Sequence, residues 1–359
     1  MTTVALDATC SLAREPTGVT VYCSRIVAAL ARAAPDQRFL LCYRTNRFFR
    51  SLMTSRPGPN CSRRLLEEPL SFLIEGPADV FHGLNQRLPR CRLRRAVTTF
   101  HDLFVFYADF STPEFRERFT ALARDAVARS DCIIAVSHYT AQRVTEHLEL
   151  PQHRLVVIPE GVDPVPEFSD RELEEFRRQQ KLEFPFLLCV GGVQARKNLR
   201  RLVEASERMK GDCRLVLAGV TGYGAEDILK RIQASSVRGK IHLLGYVDDE
   251  TLAKLYCTAT ALAFPSLDEG FGLPVLEAMS AGLPVITSNR SALPEVAGDA
   301  ALLVDPEQTD EIQQALERAL CDSKCRQELI EAGRRRAAKF TWEKAAQATL
   351  AVYRQVGAA

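Results

Sequence analysis

Residues 264–305, FPSLDEGFGLPVLEAMSAGLPVITSNRSALPEVAGDAALLVD, decide how the rest of the chain is interpreted. The apolar run 259–264 stops at Pro265 and is typical of a short strand. A glycine turn follows at 269–272, and residues 273–281 have the pattern of a helix. Glycines in such a turn let backbone N–H groups approach a ligand closely, and a helix N-terminus favours an anion. An ordinary strand, turn and helix without a ligand is the alternative.

Two acids of this stretch, Glu269 and Glu277, are separated by seven intervening residues. At about 1.5 Å rise per residue, a regular helix would place them roughly 12 Å apart. They are therefore too distant to share a proton. The spacing instead suits two carboxylates that hold different parts of one elongated ligand.

Composition limits the possible functions. The chain has 359 residues, is 46% hydrophobic and carries a net charge of +2, so we expect two packed domains and no nucleic-acid partner. Residues 1–166 hold 21 arginines, no lysine and 17 acids, and this basic half could meet an anionic acceptor or membrane surface. The 11 cysteines follow no repeated spacing, and neither a signal peptide nor a membrane-spanning run is evident. These features predict a cytoplasmic protein, either soluble or peripheral at the inner membrane face.

Apolar strands alternate with helical patterns along both halves of the chain, which predicts the α/β class with parallel sheets covered by helices. Prolines and glycines between 159 and 166 indicate a linker at about 160–168. We expect a first domain over residues 1–163 and a second over residues 164–340. Residues 311–339 are expected to be helical, and residues 341–359 to form a final amphipathic helix.

In parallel α/β sheets, ligands gather outside the carboxyl ends of the strands. His101 follows the strand pattern 97–100, and it could contact a substrate or simply bond a neighbouring carbonyl. His82 is a second candidate of the same kind. Gly18 opens the first helical pattern, and its backbone could meet a phosphate or only permit a tight turn.

The second domain begins with another strand, glycine and helix unit. Arg196 and Lys197 lie between the strand 186–190 and the next helical pattern. They could clamp a diphosphate, because Arg presents a fork of donors and Lys a point charge. A basic surface turn is the alternative, since the loop is neither GxxxxGK[ST] nor GxGxxG. Val247, beyond a strand that ends at Gly245, could offer backbone groups to a base edge.

A basic segment near the N-terminus could contact anionic lipid. The alternative, which we favour from the sequence, is a solvated helix with a few packed aromatic residues. The segment contains no acid between Asp36 and Glu67. Its arginines and apolar residues are Arg44, Arg47, Arg50, Arg56, Arg63, Arg64, Phe48, Phe49, Leu52 and Met53.

Together the motifs resemble the retaining glycosyltransferases of the GT-B fold, family four, also described as group 1 and mannosyltransferase-like. The resemblance covers nearly the whole chain and implies two Rossmann-like domains that face each other across a cleft. It is carried by Glu269…Glu277 within EGFGLPVLEAMSAGLPVI, the GG…RKN run at 191–198, FHD at 100–102, AVSHYT at 135–140, GVD at 161–163, LPEVAGDAALLVDP at 293–306 and WEKAAQATLAVYR from 342.

The resemblance also implies roles for individual residues. The first domain would bind the acceptor and be braced by the last helix, and the second would bind the donor. Glu160 stands where relatives often carry Asn, and no role is assigned to it. The implied catalytic residues are His101, which contacts the sugar near its reacting carbon, and Glu269. The implied binding roles are these: Arg196 and Lys197 hold the donor diphosphate; Glu277 binds the ribose; Glu269 and the amides of Gly270, Phe271 and Gly272 bind hydroxyls of the donor sugar; Leu273 belongs to the same nucleotide-sugar site; Gly18 approaches the phosphates and acceptor; Val247 lies near the base.

The implied reaction moves a hexose from GDP-mannose or a UDP-hexose to a hydroxyl of a glycan or lipid-linked acceptor in cell-surface polysaccharide synthesis, with retention of configuration. No D-x-D occurs, so with two cations present we expect no metal and no cofactor beyond the donor. The two glutamates are poorly spaced for double displacement, which favours front-face transfer in which the departing phosphate helps take the acceptor proton. A same-fold epimerase or phosphorylase, a dinucleotide oxidoreductase and a non-catalytic sugar-nucleotide binder remain as alternatives, although the missing GxGxxG argues against the oxidoreductase.

Overall fold

The computed structural model describes residues 2–70, 76–210 and 212–358. The chain divides into two compact units. The first consists of Met1–Ala108, Pro113–Gly161 and Phe340–Ala359, and the second of Asp109–Thr112 and Val162–Lys339. The change of unit at Gly161 lies two residues before the expected domain boundary, and the final helix belongs to the first unit.

The first unit contains a parallel sheet whose five inner strands are largely buried, as is usual for strands covered on both faces, whereas its two outer strands are mostly half-buried. Its described strands are β1 Thr3–Asp7, β2 Arg38–Tyr43, β3 Cys61–Leu65, β4 Val80–Gly83, β5 Ala96–Phe100, β6 Cys132–Ala135 and β7 Leu155–Val157. Their spatial order is β3-β2-β1-β4-β5-β6-β7. This order places β4 and β5 side by side near the centre, so residues that follow these two strands meet at one edge of the sheet.

The helices of the first unit other than Thr45–Ser51 each bury an apolar face. In the N-terminal helix this face includes Tyr22, Ile26 and Leu30. Ser137 accepts a hydrogen bond from the backbone N–H of Thr140 at 2.9 Å and so caps a later helix. The described helices are Gly18–Ala33, Thr45–Ser51, Pro113–Arg129, His138–Leu148 and Trp342–Ala358.

The second unit contains a second parallel sheet. Its strands are β8 Phe186–Val190, β9 Arg214–Ala218, β10 Ile241–Gly245, β11 Ala261–Phe264, β12 Val285–Ser288 and β13 Leu302–Val304. The order β10-β9-β8-β11-β12-β13 makes β8 and β11 neighbours, although 70 residues lie between Val190 and Ala261 in the sequence. The loops that follow β8 and β11 therefore meet.

Helices cover this sheet as well. They are Asp170–Gln179, Leu199–Arg208, Ala225–Gln233, Asp249–Thr258, Leu273–Ser280, Leu293–Ala297, Thr309–Cys321 and Ser323–Ala337. The expected continuous helical region 311–339 is interrupted, because Asp322 leaves the helical conformation and its carboxylate caps the following helix through the backbone N–H of Cys325 at 2.9 Å. No helix of the described residues is long and apolar enough to cross a bilayer.

Candidate functional site

A buried cluster of three charged side chains lies where the loops after β8 and β11 meet. The Glu269 carboxylate accepts hydrogen bonds from Arg196 Nη1 at 2.8 Å and from Lys197 Nζ at 2.6 Å. Arg196 Nη1 also donates to the carbonyl oxygen of Asp268 at 2.7 Å. Lys197 and Glu269 are each only 7% exposed. Among these three side chains, positive charges outnumber the negative one.

Burial and mutual attraction compete in this cluster. Burial lowers the pKa of Lys197, and the positive charge of Arg196 adds to that effect, whereas Glu269 opposes it. For Glu269, burial alone would raise the pKa, but Arg196 and Lys197 outweigh it and lower the pKa below the ordinary value. Lys197 Nζ also lies 4.4 Å from the centroid of the Phe264 ring, which adds a cation–π contact. The cations are thus held in place before any ligand arrives.

The backbone around Arg196 and Lys197 is shaped by two special positions. Gly191 has a φ of +119°, and a Cβ there would lie 2.9 Å from Lys197 Cε, so glycine makes room for the lysine. Asn198 adopts a left-handed conformation with φ 57°, and its Nδ2 donates to the carbonyls of Pro265 at 3.1 Å and Pro306 at 2.6 Å. Asn198 therefore ties the cation-bearing turn to the segment that starts the glycine turn. In the sequence, Asn198 stands out only as part of the RKN motif, and its hydrogen bonds to Pro265 and Pro306 were not predicted.

The glycine turn leads into the helix Leu273–Ser280. Gly272 has a φ of +122°, and a Cβ there would lie 2.8 Å from Leu293 Cδ2. Phe271 and Leu273 are buried, so their side chains pack inward. A ligand at this turn would therefore meet backbone groups of Phe271 and Leu273.

Glu277 is half-buried within this helix, and its carboxylate accepts a hydrogen bond from Tyr256 at 2.8 Å. Burial raises the pKa of Tyr256 well above its ordinary value, and the nearby Glu277 charge raises it further. The tyrosine is therefore a permanent donor that orients the Glu277 carboxylate. Sequence reasoning missed Tyr256, because nothing in its own helix indicates which residue it will meet.

The remaining candidates of the two units are Val247, in a loop, and Gly18, at the start of a helix. Val247 is half-buried, between the half-exposed Tyr246 and Asp248, whose carboxylate caps the next helix through the backbone N–H of Thr251 at 2.8 Å. Gly18 is the exposed first residue of the helix Gly18–Ala33. Both residues keep their proposed roles as predictions.

His101 follows β5 as expected, but both of its ring nitrogens already have partners within the first unit. Nδ1 lies 3.1 Å from Glu160 Oε1, and Nε2 lies 3.0 Å from the Leu84 carbonyl oxygen. Burial by itself would lower the pKa of His101, but the hydrogen bond to Glu160 and its charge raise the pKa above the ordinary value. The sequence left substrate contact and carbonyl bonding as alternatives, and the structure shows the carbonyl bond.

His82, the second histidine candidate, is fully buried. Its Nδ1 lies 2.6 Å from the Tyr353 hydroxyl and its Nε2 lies 2.8 Å from Thr99 Oγ1. Burial lowers the pKa of His82 to about 3, so the ring is neutral and joins the final helix to the sheet. In the described residues, no group of three or more His, Cys, Asp or Glu side chains is placed to hold a metal ion.

Comparison with known protein families decides the identity. The model described as "Glycosyl transferases group 1" matches residues 170–336, and the model "Glycosyltransferase Family 4" matches residues 1–165. The chain is a family 4 glycosyltransferase. The O-antigen chain mannosyltransferase B of Escherichia coli is 33% identical to this glycosyltransferase over 282 residues, which are 77% of this chain and 74% of that protein. The serotype-specific mannosyltransferase WbdA of Escherichia coli is 30% identical over 65% of this chain, and the match spans only 30% of WbdA.

Solved structures confirm the GT-B fold of the glycosyltransferase. Sucrose-phosphate synthase from Thermosynechococcus elongatus matches with a TM-score of 0.77 and 21% identity over 100% of both chains. Anabaena Alr3699/HepE in complex with UDP-glucose matches with a TM-score of 0.76 and 18% identity over 98% of this chain and 100% of that one. The predicted family and fold class are therefore confirmed, and the roles of individual residues stay predictions.

Proposed function

We propose that this glycosyltransferase moves a mannosyl group, with retention of configuration, from GDP-mannose to a hydroxyl of a glycan or lipid-linked acceptor in polysaccharide synthesis. The choice of mannose is supported by the names of its relatives, O-antigen chain mannosyltransferase B and WbdA. The observation that carries the proposal is the buried cluster of Arg196, Lys197 and Glu269.

The cluster is suited to a diphosphate leaving group. Negative charge grows on the diphosphate as the glycosidic bond breaks, and fixed donors aimed at that charge stabilise it. Arg196 and Lys197 are already held by Glu269, so they need little reorganisation when the donor binds. Their interaction with phosphate oxygens is strong because the cluster is largely removed from water.

Glu269 supports the cations and can also bind the donor sugar. An ionised carboxylate offers about four lone-pair positions, and the two cations use only part of that capacity. A sugar hydroxyl can donate to another position. Because both Glu269 oxygens are engaged by cations, the carboxylate is a poor nucleophile, which supports front-face transfer over double displacement. Trapping of a glycosyl–enzyme adduct on Glu269 would argue against this mechanism.

We propose that the reaction needs no divalent metal, because Arg196 and Lys197 supply the positive charge that a metal supplies to a diphosphate in other enzymes. The chain also lacks a D-x-D sequence. Activity should survive dialysis against EDTA. Loss of activity with EDTA and its recovery with Mg²⁺ or Mn²⁺ would refute this part of the proposal.

Donor identity is tested by binding and turnover. The melting temperature should rise more with GDP-mannose or GDP than with UDP-glucose or UDP, because the ligand that binds the folded state more tightly stabilises it more. The Lys197→Ala variant should lose this shift, whereas the exposed control Lys324→Ala should keep it. If both variants keep the wild-type shift, the diphosphate site is assigned wrongly.

The transfer itself is tested with GDP-mannose and a mannose-terminated oligosaccharide, with the product detected by mass spectrometry. A mass increase of one hexose supports the proposed reaction. Incubation of GDP-mannose without any acceptor tests the alternative of an epimerase, which would convert the donor. A rise in melting temperature without turnover under any of these conditions would favour the non-catalytic alternative.

We further propose that the segment around the helix Thr45–Ser51 contacts anionic lipid. Large apolar side chains are exposed there: Phe49 is 68%, Leu52 55% and Met53 90% exposed. The exposed Arg50 lies within the same run. The sequence favoured packed aromatic residues, but Phe49 faces water, and apolar side chains beside arginine match an anionic bilayer surface.

Vesicle sedimentation tests this contact. The wild-type protein should sediment with phosphatidylcholine vesicles that contain phosphatidylglycerol, and less with pure phosphatidylcholine. The double variant Phe49→Ser, Met53→Ser should lose binding to the anionic vesicles. The control Leu303→Ser removes an apolar side chain that is 40% exposed in the second unit and should bind normally. Equal sedimentation of the double variant and the control would refute the contact.

A further inference from the structure

The hydrogen bonds around His101 define which of its nitrogens carry protons. The Leu84 carbonyl can only accept, so His101 Nε2, at 3.0 Å, must be the donor. The Cys23 thiol donates to the same carbonyl at 3.8 Å. Nδ1 faces the Glu160 carboxylate at 3.1 Å, and an ionised carboxylate can only accept as well. This arrangement is the one that a doubly protonated ring makes with an ionised Glu160.

The other groups packed around His101 do not supply a competing counter-charge. Tyr22, from the helix Gly18–Ala33, approaches with its ring edge at 4.6 Å between centroids, and burial raises its pKa far above neutrality. His82, on β4, is neutral for the reason given above. Thr140, from the helix His138–Leu148, donates its hydroxyl to the His101 carbonyl at 3.3 Å.

The acids near His101 favour its charged form. Asp102, the next residue, adds negative charge nearby, and Glu160 contacts the ring directly. Glu160 is only 4% exposed and His101 9% exposed, so water weakens their attraction little. Burial opposes the charged form of His101, and these acids overcome that opposition and raise its pKa.

We propose that Glu160 is a positioning residue that holds His101 as a doubly protonated cation at the carboxyl end of β5. Its consequence rests on the proposed function: a fixed positive charge there stabilises the negative charge that develops as the donor reacts. His101 then acts by its charge and not by proton transfer, because both of its N–H groups are already donated to Glu160 and Leu84.

The residue type at position 160 is decisive in this proposal. An amide in place of the carboxylate can donate to Nδ1, and the ring then satisfies both partners while neutral. A carboxylate cannot donate to Nδ1. Glu160→Gln therefore keeps the shape of the side chain and removes the reason for the second proton. Glu160→Asp keeps the charge on a side chain that is shorter by one methylene group.

Nitrogen NMR of protein labelled with ¹⁵N-histidine tests the proposal without any substrate. The signals of His101 are identified by their loss in His101→Gln. At about pH 8, wild-type His101 should show two protonated nitrogens, and Glu160→Gln should show one protonated nitrogen, Nε2. A matched control is Glu117→Gln, which alters an exposed acid of the same unit.

The proposal is overturned if wild-type His101 is neutral at about pH 8, or if Glu160→Gln still has two protonated nitrogens. Because this readout needs no turnover, it decides the proposal even if the proposed glycosyl transfer fails. Circular dichroism and thermal melting of each variant establish that it is folded.

Kinetics then separate a role in the reaction from a purely structural one. With GDP-mannose, Glu160→Gln should lower kcat about tenfold at pH 8, equivalent to about 1.4 kcal/mol, and leave the donor KM within about twofold. The deficit should shrink as the pH falls, because the imidazole protonates without help, and Glu160→Asp should recover part of kcat. A deficit that is the same at every pH, or that Glu160→Asp does not reduce, would mean that Glu160 acts only through folding.

Discussion

Replacement of Glu269 by glutamine gives the sharpest prediction about the charged cluster. The amide has nearly the same shape, but it removes the negative charge that Arg196 and Lys197 share. Two buried cations would then face each other without a counter-charge. Breaking a buried ion pair by removal of one partner costs about 3 kcal/mol or more of folding free energy. For a domain of this size, that corresponds to a drop of roughly 6–12 °C in melting temperature.

Ligand binding should change in the opposite direction to stability. A nucleoside diphosphate brings negative charge to the same two cations, so it should stabilise Glu269→Gln more than it stabilises the wild type. Turnover of the nucleotide sugar should nevertheless fall, because the carboxylate is lost as an acceptor for sugar hydroxyls. The variant thus separates binding of the diphosphate by Arg196 and Lys197 from the contact between Glu269 and the donor sugar.

Differential scanning fluorimetry with and without GDP or UDP measures both effects. The control Glu167→Gln changes an exposed acid of the second unit and should melt like the wild type. The reasoning is refuted if Glu269→Gln melts at the wild-type temperature, or if the nucleotide stabilises it less than it stabilises the wild type.

Three further changes test other parts of the site. Tyr256→Phe removes the hydroxyl that orients Glu277 and should weaken nucleoside diphosphate binding about fivefold by isothermal titration calorimetry, a loss of about 1 kcal/mol; unchanged affinity would contradict the role of Tyr256. Gly191→Ala places a Cβ 2.9 Å from Lys197 Cε at a φ of +119°, so urea unfolding should show a loss of about 1–3 kcal/mol, whereas no loss would mean that the backbone adapts freely. Because the folded pKa of His101 is raised, its stabilising contribution is complete below the unfolded pKa of about 6.5 and is lost as pH rises through the folded value. The urea midpoint should therefore fall more between pH 6 and pH 9 in the wild type than in Glu160→Gln, and equal changes would contradict the raised pKa.

Local sequence features predicted much of the second unit. Proline, glycine and the apolar runs predicted the strand before Pro265 and the helix after Gly272, and the predicted ends of both elements lie within two residues of the observed ones. They also placed Arg196 and Lys197 in a turn that follows β8. These features are readable because strand, turn and helix signals act over a few residues.

The partners of the site residues were not predictable in the same way. The bonds from Arg196 and Lys197 to Glu269 depend on β8 lying beside β11, which is a property of the sheet order. Likewise, His101 meets Leu84 and Glu160 because the strands that precede these residues converge in one sheet. Sequence periodicity indicates that a strand exists. It does not indicate which strand lies beside it in the sheet, and therefore not which loop lies beside its own.

A structure of the protein with bound GDP-mannose tests the central claim most directly. The account predicts diphosphate oxygens within hydrogen-bond distance of Arg196 and Lys197, and ribose hydroxyls at Glu277. A nucleotide whose phosphates contact neither cation would contradict it.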